Sequence, residues 1–231
     1  MFEVLPATDD LVAVALVFAG GDSPSQAQYE AIVGPLTGTV RVIAADSGAD
    51  HARALGVHVD VAVGDFDSAS DLTQAWLHQI GSDIREFGPH KNYSDLELAL
   101  AAATEDDPTA IYVLGLGGGR LDHSLLNLLV LADARWSTSQ IHGLSNEYWI
   151  SVIHDEIMLT GELGSLVSLI PIGGPASVST TGLLYALDGE ELSPTGARGL
   201  SNVLAGVPAR VHVEAGVVLA VQAIDGGGNH V

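Results

Sequence analysis

Two carboxylates stand two residues apart in segment 64–68 (Gly-Asp-Phe-Asp-Ser), directly after the apolar run 59–63. Alternate side chains of a strand share a face, so the run predicts that Asp65 and Asp67 point the same way where the strand ends. Two carboxylates this close repel and raise each other's pKa unless a cation lies between them. Oxygen ligands in a chain without cysteine indicate Mg²⁺ rather than zinc. Taken alone, the segment also fits an ordinary acidic turn.

A third acid, Asp46, ends the apolar run 40–45. If the two strands are neighbours, Asp46 lies close to Asp65. An aspartate here can instead cap the following helix by accepting a hydrogen bond from a backbone N–H group. Both interpretations stay open from the sequence.

The only lysine of the chain, Lys91, precedes an alanine-rich helical segment. Ser94 and Glu97 predict a capping box at its start, and Asp95 falls in the first turn, where the helix dipole stabilises a negative charge. Helix capping is a sufficient structural explanation. The same loop also brings an acid and the only lysine together, which suits a site for metal and phosphate.

A glycine-rich segment, 115–119, follows another apolar run and opens a strongly apolar helix. Glycines allow a close backbone approach, and N–H groups at a helix N-terminus bind phosphate, so Gly118 and Gly119 are candidate phosphate contacts. Arg120 adds a planar cation. The spacing matches neither the dinucleotide fingerprint nor the P-loop. Gly20 and Gly21, after the first apolar run, form a weaker loop of the same type.

Three polar residues follow on the same predicted helix. Asp122 and His123 come directly after Arg120, and Asn127 lies four residues beyond His123, on the same helix face. A lone histidine here is more often a partly buried structural residue. Its place beside Arg120 and Asp122 favours a role in the site.

Apolar runs and helical patterns alternate through the first part of the chain, which predicts an α/β fold with a parallel sheet covered on both faces. Ligands bind beyond the carboxyl ends of such strands, where these motifs fall. The predicted strands are 11–19, 40–45, 59–63, 84–87 and 110–115. The predicted helices are 24–36, 49–55, 71–80, 94–103 and 122–136.

The helical period disappears after about residue 143. Short β-prone runs (148–153, 166–170, 210–213 and 217–221) alternate with glycine and proline turns such as 173–175. This pattern predicts a smaller all-β sandwich domain. We therefore expect an α/β domain at 1–143 and a β-sandwich domain at 144–231.

Charge and composition exclude several classes of protein. A net charge of −21, from 29 acidic residues against 8 Lys and Arg, argues against binding to nucleic acid or to an anionic membrane surface. No apolar segment is long enough to span a bilayer, and the acidic N-terminus is unlike a signal peptide. The expectation is a soluble cytoplasmic protein.

Taken in order, the motifs resemble those of the thiamine pyrophosphokinase family, which transfers the terminal pyrophosphate of ATP to the hydroxyl of thiamine and releases AMP. The resemblance rests on four segments in order: 46–49, 64–68, Lys91 with 94–97, and 118–123 with Asn127. It implies that Asp65, Asp67 and Asp95 hold Mg²⁺, with Asp46 in the same cluster. It also implies that Arg120 and Asp122 act in catalysis with these four aspartates, and that the glycine loops, Lys91, Ser94, Arg120, His123 and Asn127 bind the nucleotide. On this resemblance, 1–143 is the ATP- and Mg²⁺-binding catalytic domain and 144–231 the thiamine-binding domain.

In the second part, Tyr185 and the pair Ser201 and Asn202 resemble the family's thiamine-side segments. There an aromatic ring packs on thiamine and the Ser-Asn pair adds polar contacts. The family forms homodimers in which one subunit's nucleotide domain and the other's β domain share each thiamine pocket.

The chain departs from the family pattern at four positions: Ser47, Asn92, Leu184 and Val203, where Gly, Asp, Lys and Glu are usual. The first two bear on details of metal binding and the last two on thiamine affinity. Two other functions remain open, a pyrophosphokinase for a pterin alcohol and a non-catalytic sensor of nucleotide or thiamine diphosphate. The retained acidic set argues against a sensor, because a binding module does not need this much like-charge repulsion.

Overall fold

The computed structural model describes residues 14–88, 92–145 and 147–224, and the strands of this part of the chain form one sheet of twelve strands. In chain order they are β1 (Val14–Phe18), β2 (Val40–Ala45), β3 (Val61–Gly64), β4 (Asp83–Glu86), β5 (Ala110–Leu114), β6 (Gln140–Leu144), β7 (Tyr148–Ile153), β8 (Glu156–Leu159), β9 (Leu166–Thr181), β10 (Glu190–Leu192), β11 (Asn202–Val203) and β12 (Ala209–Ala223). Their spatial order is β10-β9-β12-β7-β6-β5-β1-β2-β3-β4, with β11 on β9 and β8 on β12.

Five α-helices lie in the described residues: α1 (Gln26–Val33), α2 (Gly48–Ala54), α3 (Asp71–Ile80), α4 (Asp95–Ala103) and α5 (Leu121–Leu131). All five were predicted, and the first and the last are clearly shorter than the predicted 24–36 and 122–136. The predicted helix 122–136 ends at Leu131 because the Asp133 carboxylate accepts the Arg135 N–H at 2.9 Å and starts a short 3-10 helix, Ala134–Trp136.

The parallel part of the sheet is covered on both faces. Strands β4, β3, β2, β1, β5 and β6 run parallel, and every residue of β1 and β5 is buried. Helices α4 and α5 contribute to the apolar core on one face, and α1, α2 and α3 contribute to the core on the other. Burial on both faces explains why β1 and β5 read as continuous apolar runs rather than alternating ones, whereas the edge strand β4 is polar and partly exposed.

The strand order reverses at β1. The chain proceeds from β1 through β2 and β3 to the edge strand β4, then returns to place β5 on the other side of β1. The loops after β1 and β5 therefore border the point where the connections diverge. In open α/β sheets this is where ligands bind.

The C-terminal half is built on two long antiparallel strands. Strand β12 is one strand where two were predicted, and it passes two register shifts between Val213 and Val217. The predicted turn 173–175 lies inside β9. At Gly216, with φ 89°, a Cβ atom would lie 2.7 Å from the Pro175 carbonyl oxygen. Glycine therefore lets the paired strands bend here instead of ending them.

The mixed α/β class is confirmed, and the two halves meet within one sheet. Strand β7 pairs antiparallel with β6, the last strand of the parallel part, and the predicted boundary at 143/144 falls inside β6. The sandwich description and the domain boundary stay predictions. No helix in the described part of the chain combines the length and apolar character needed to cross a membrane.

Candidate active site

Three aspartates meet at the carboxyl ends of two neighbouring strands. Asp46 follows β2, and Asp65 and Asp67 follow β3, which pairs parallel with β2 through Ala45 and Val63. One carboxylate oxygen of each lies within 4.8 Å of the others. Asp46 and Asp65 are half-buried and Asp67 is exposed. Asp46 therefore lies close to Asp65 and Asp67, as the sequence predicted.

The local backbone explains how the acidic loop, residues 65–70 between β3 and α3, comes close to Asp46. Strand β3 ends at Gly64, where φ is 148° and a Cβ atom would lie 3.1 Å from the Cβ of Asp46. Phe66 then adopts a left-handed conformation with φ 57°. Asp65 and Asp67 thus belong to a turn beyond the strand. We expected the alternation of side chains along a strand to place them on one face, but the turn at Phe66 brings them together.

The burial and the neighbouring charges of the Asp46 carboxylate suit the binding of a cation. Its Oδ1 atom is buried and has no hydrogen-bond partner among the described residues. Burial raises its pKa, the N–H of Ser47 opposes that rise, and the charges of Asp95, Asp65 and Asp67 raise it further. Helix α2 begins after Ser47, whose side chain makes no capping bond. The carboxylate of Asp46 therefore belongs to the acidic cluster.

Asp95 lies at the start of α4. Ser94 and Glu97 form the predicted capping box, with Glu97 N to Ser94 Oγ at 3.2 Å and Ser94 N to Glu97 Oε2 at 2.9 Å. The effect of Asp95 on the pKa of Asp46 places its charge near the cluster, outside the set of three that lie within 4.8 Å. Lys91, predicted beside it, lies outside the described residues.

The two glycine loops pack against each other next to Asp46, since a Cβ atom at Gly20 would lie 2.5 Å from Ser47 Oγ. Gly21 N donates to Gly115 O at 3.0 Å, and Asp22 N donates to Gly117 O at 2.7 Å. A Cβ atom at Gly118, where φ is 92°, would lie 2.0 Å from the Asp22 carboxylate. The glycines are therefore required for the loops to pack. Asp22 was not among the predicted site residues, although its position directly after Gly20 and Gly21 was a signal.

The polar residues that open α5 lie at the surface. Arg120 and Asp122 pair through Nε–Oδ1 at 3.1 Å and Nη2–Oδ2 at 2.6 Å, and the guanidinium lowers the pKa of Asp122 to about 2. His123 is exposed as well. Asn127 instead donates to Leu116 O at 3.2 Å, so it supports the glycine-rich loop.

The predicted thiamine-side residues divide into two kinds. Tyr185 is 54% exposed and Ser201 is also exposed, with φ 53°. Asn202 is 2% exposed, and its amide makes hydrogen bonds with the backbone N–H and C=O groups of Tyr185. The structure therefore places Asn202 behind Tyr185 rather than on the surface. Leu184, a departure from the family pattern, is exposed, whereas Val203 of β11 pairs with Leu166 of β9.

Two family models match the chain. Residues 36–142 match the thiamin pyrophosphokinase catalytic domain, and residues 154–218 match the thiamin pyrophosphokinase vitamin B1 binding domain. The first match contains the acidic cluster and the glycine-rich loop. The second contains Tyr185 and Asn202.

Curated relatives carry the same family name. The chain is 32% identical over 157 residues to thiamine pyrophosphokinase 1 of rice (Oryza sativa subsp. japonica), covering 63% of this chain and 59% of that protein. It is 36% identical over 70 residues to thiamine pyrophosphokinase of Bacillus subtilis, covering 30% of this chain and 33% of that protein. The matched region thus spans less than two thirds of either relative.

Solved structures show the same fold. The thiamine pyrophosphokinase of Bacillus subtilis superposes with a TM-score of 0.77 at 23% identity, covering 92% of this chain and 99% of that one. The thiamin pyrophosphokinase of Candida albicans superposes with a TM-score of 0.74 at 16% identity, covering 92% of this chain and 90% of that one. These likenesses extend across both halves of the chain.

Proposed function

The chain belongs to the thiamin pyrophosphokinase family, and on that premise we propose that it transfers pyrophosphate from ATP to the hydroxyl of thiamine, giving thiamine diphosphate and AMP. The observation that carries the proposal is the cluster of Asp46, Asp65 and Asp67 at the strand ends, beside two glycine loops at the reversal of strand order. Such an arrangement brings carboxylates and phosphate-binding N–H groups to one crevice.

The acidic cluster suits Mg²⁺. Its donors are all carboxylate oxygens, and Asp46 offers a buried oxygen without a partner among the described residues. Asp46, Asp65 and Asp67 would hold the ion, with Asp95 close by. When bound, Mg²⁺ would neutralise phosphate charge and polarise the phosphoryl oxygens.

The reaction joins the thiamine hydroxyl oxygen to the β-phosphorus and breaks the bond from that phosphorus to the oxygen bridging the α- and β-phosphates. AMP leaves with that bridging oxygen. One of Asp65 and Asp67 accepts the hydroxyl proton as the new bond forms. Catalysis therefore rests on positioning and on charge neutralisation rather than on a covalent enzyme intermediate.

The chain supplies few cations for a triphosphate, so backbone groups carry much of the binding. The N–H groups of the loops at Gly20–Gly21 and Gly118–Gly119 would contact phosphate oxygens. Lys91 and Arg120 would offset the remaining charge. Arg120 is held by Asp122 in this structure, and it can exchange that exposed carboxylate for a phosphate because exposed ion pairs are weak.

The C-terminal half would receive thiamine. We propose that residues 1–143 serve the nucleotide and 144–231 serve the acceptor, a division supported by family models that end at 142 and begin at 154. The exposed ring of Tyr185 would pack on thiamine, and Ser201 would add a polar contact. Asn202 would act through Tyr185, whose backbone it holds.

A homodimer with shared sites completes the proposal. Helix α5 carries an exposed apolar face that water does not favour, formed by Leu121, Leu125, Leu126 and Leu129. This face follows directly from the glycine-rich loop, so a second subunit packed there would bring its own residues beside the nucleotide. We place the enzyme in the cytoplasm, where ATP and Mg²⁺ are supplied.

The test is AMP release by the full chain with ATP and Mg²⁺, compared among thiamine, a pterin alcohol and no acceptor. We expect AMP and thiamine diphosphate in equal amounts with thiamine and little AMP otherwise. Turnover of the pterin instead would establish the other acceptor. Nucleotide binding without AMP release under any condition would identify a sensor and contradict the proposal.

A further inference from the structure

A glutamine outside the predicted site holds the middle of the loop that carries Asp65 and Asp67. Gln74, on the second turn of α3, donates through Nε2 to Phe66 O at 3.0 Å and to Ala69 O at 3.1 Å. Both N–H bonds of one side-chain amide therefore go to the backbone of the acidic loop.

The conformation that Gln74 holds is an unfavourable one for the chain to keep by itself. Phe66 has φ 57°, and such left-handed residues other than glycine persist only where the surroundings impose the geometry. Phe66 is 8% exposed and belongs, like Leu77 of α3, to the apolar core on that face. The buried ring and the amide of Gln74 thus hold the side chain and the carbonyl of the same residue.

The far end of the loop has separate supports. The Asp50 carboxylate on α2 accepts Ser70 Oγ at 2.6 Å and Ser70 N at 3.1 Å, and it also accepts the Thr73 hydroxyl. Thr73 is fully buried. These bonds anchor the start of α3 on α2. They do not reach Phe66. The turn between the two aspartates is spanned by a long hydrogen bond from Asp67 N to Asp65 Oδ1 at 3.5 Å, and Gln74 holds the Phe66 carbonyl from α3.

We propose that Gln74 is a positioning residue for the metal-binding carboxylates. By holding the carbonyls of Phe66 and Ala69, it keeps the left-handed turn closed and so keeps Asp65 and Asp67 beside Asp46. This inference rests on the proposed function, because it assumes that the acidic cluster binds a divalent cation. Without the amide, the loop would sample open turns in which the three carboxylates do not converge.

The test compares Gln74→Met with the full-length wild type. Methionine keeps the length and apolar stem of the side chain and removes only the amide. Gln74→Glu keeps the shape but places a carboxylate, which cannot donate, against two carbonyl oxygens. Gln79→Met, at an exposed position on the same helix, is the matched control. Circular dichroism and the thermal midpoint establish that each variant folds.

The primary readout is the dissociation constant of Mn²⁺ in the absence of nucleotide, measured by electron paramagnetic resonance. We expect the dissociation constant to rise about tenfold in both Gln74 variants, equivalent to about 1.4 kcal/mol, and to stay unchanged in Gln79→Met. In turnover, the Mg²⁺ concentration for half-maximal rate should rise while the KM for thiamine at saturating Mg²⁺ does not. A residue that only stabilised the fold would not produce that division.

Wild-type Mn²⁺ affinity in both folded Gln74 variants would overturn the positioning role and leave the proposed function standing. A wild type that binds no Mn²⁺ without nucleotide would overturn the positioning role, because the three carboxylates would then hold no cation by themselves, and AMP release would decide the proposed function separately. A wild type that binds Mn²⁺ but releases no AMP would contradict the proposed function alone, since the Mn²⁺ affinities would still decide the role of Gln74.

Discussion

Asn202 uses its side-chain amide as a backbone partner for Tyr185: Tyr185 N donates to Asn202 Oδ1 at 3.0 Å, and Asn202 Nδ2 donates to Tyr185 O at 2.8 Å. The same Oδ1 accepts Val203 N at 2.9 Å. Tyr185 lies outside the regular strands, so this pair does for it what a neighbouring strand would do. The buried amide of Asn202 therefore fixes the backbone that carries the exposed ring of Tyr185.

Replacing the anchor should affect one substrate. Asn202→Ala leaves the N–H and C=O groups of Tyr185 unpaired, so we expect the KM for thiamine to rise about tenfold, from roughly 1–2 kcal/mol of lost positioning, with the KM for ATP unchanged. Steady-state kinetics in both substrates measure this. Thr195→Ala, in an exposed loop of the same half, is the control. Equal increases in both KM values would indicate general destabilisation instead.

Asp65→Asn and Asp67→Asn should each lower AMP formation about 10²-fold or more, because an amide oxygen can still ligate a cation but carries no charge. Neither side chain lies in the core, so the thermal midpoint should change little. Asp71→Asn, a nearby exposed acid on α3, should leave turnover unchanged. Near wild-type turnover of the Asp65/Asp67 double variant at saturating Mg²⁺ would contradict the assignment of these two residues as Mg²⁺ ligands.

Asp46 should make the metal-free protein less stable as pH rises. Burial raises its pKa above the ordinary 3.8, so the unfolded chain releases the proton first and unfolding becomes easier as pH climbs through that range. Urea denaturation in EDTA should therefore show Asp46→Asn gaining stability relative to the wild type as the pH rises above 3.8. Added Mg²⁺ should stabilise the wild type more than the variant. A constant difference across pH would refute the raised pKa.

His142 should act on stability in the opposite direction. It is buried between the rings of Tyr112 and Trp149, at 5.2 and 5.3 Å, with Nδ1 3.0 Å from Ser151 Oγ. Burial lowers its pKa from 6.5 to about 4, so the unfolded chain binds the proton first. The contribution of His142 to the free energy of unfolding is fully present above pH 6.5. It falls by about 3 kcal/mol as the pH decreases towards 4.

His142→Phe keeps the stacked rings and removes the titrating group. Its free energy of unfolding between pH 4 and 6.5 should fall less steeply than that of the wild type, whatever its absolute value. An unchanged slope in His142→Phe would show that the histidine does not drive the pH dependence.

Two variants, each impaired in a different half of the site, should complement each other at low thiamine if the sites are shared across a homodimer. Asp67→Asn lacks a working nucleotide half, and Tyr185→Ala lacks the aromatic contact of the acceptor half, worth roughly 1–2 kcal/mol against a cationic thiazolium. In mixed dimers one of the two sites combines both intact halves, so part of the turnover should return on mixing. Failure to complement despite demonstrated subunit exchange would mean that each subunit holds a complete site.

The sequence by itself determined the elements whose signal is local. The apolar runs of β1, β2 and β5 predicted buried parallel strands, and the capping box at Ser94 and Glu97 predicted the start of α4 almost to the residue. The acidic and glycine-rich segments were likewise visible, because glycine and paired carboxylates at strand ends have few other uses. Periodicity and turn chemistry act over a few residues, so a linear reading captures them.

Only the tertiary structure decided which residues meet. The register of β2 against β3 placed Asp46 in the cluster, and the turn at Phe66, held by Gln74, replaced the strand alternation that we had expected. Asn202 reads as a ligand residue in the sequence, yet its pairing with Tyr185 buries it. These outcomes depend on contacts between segments far apart in the chain, whose energies no local pattern contains.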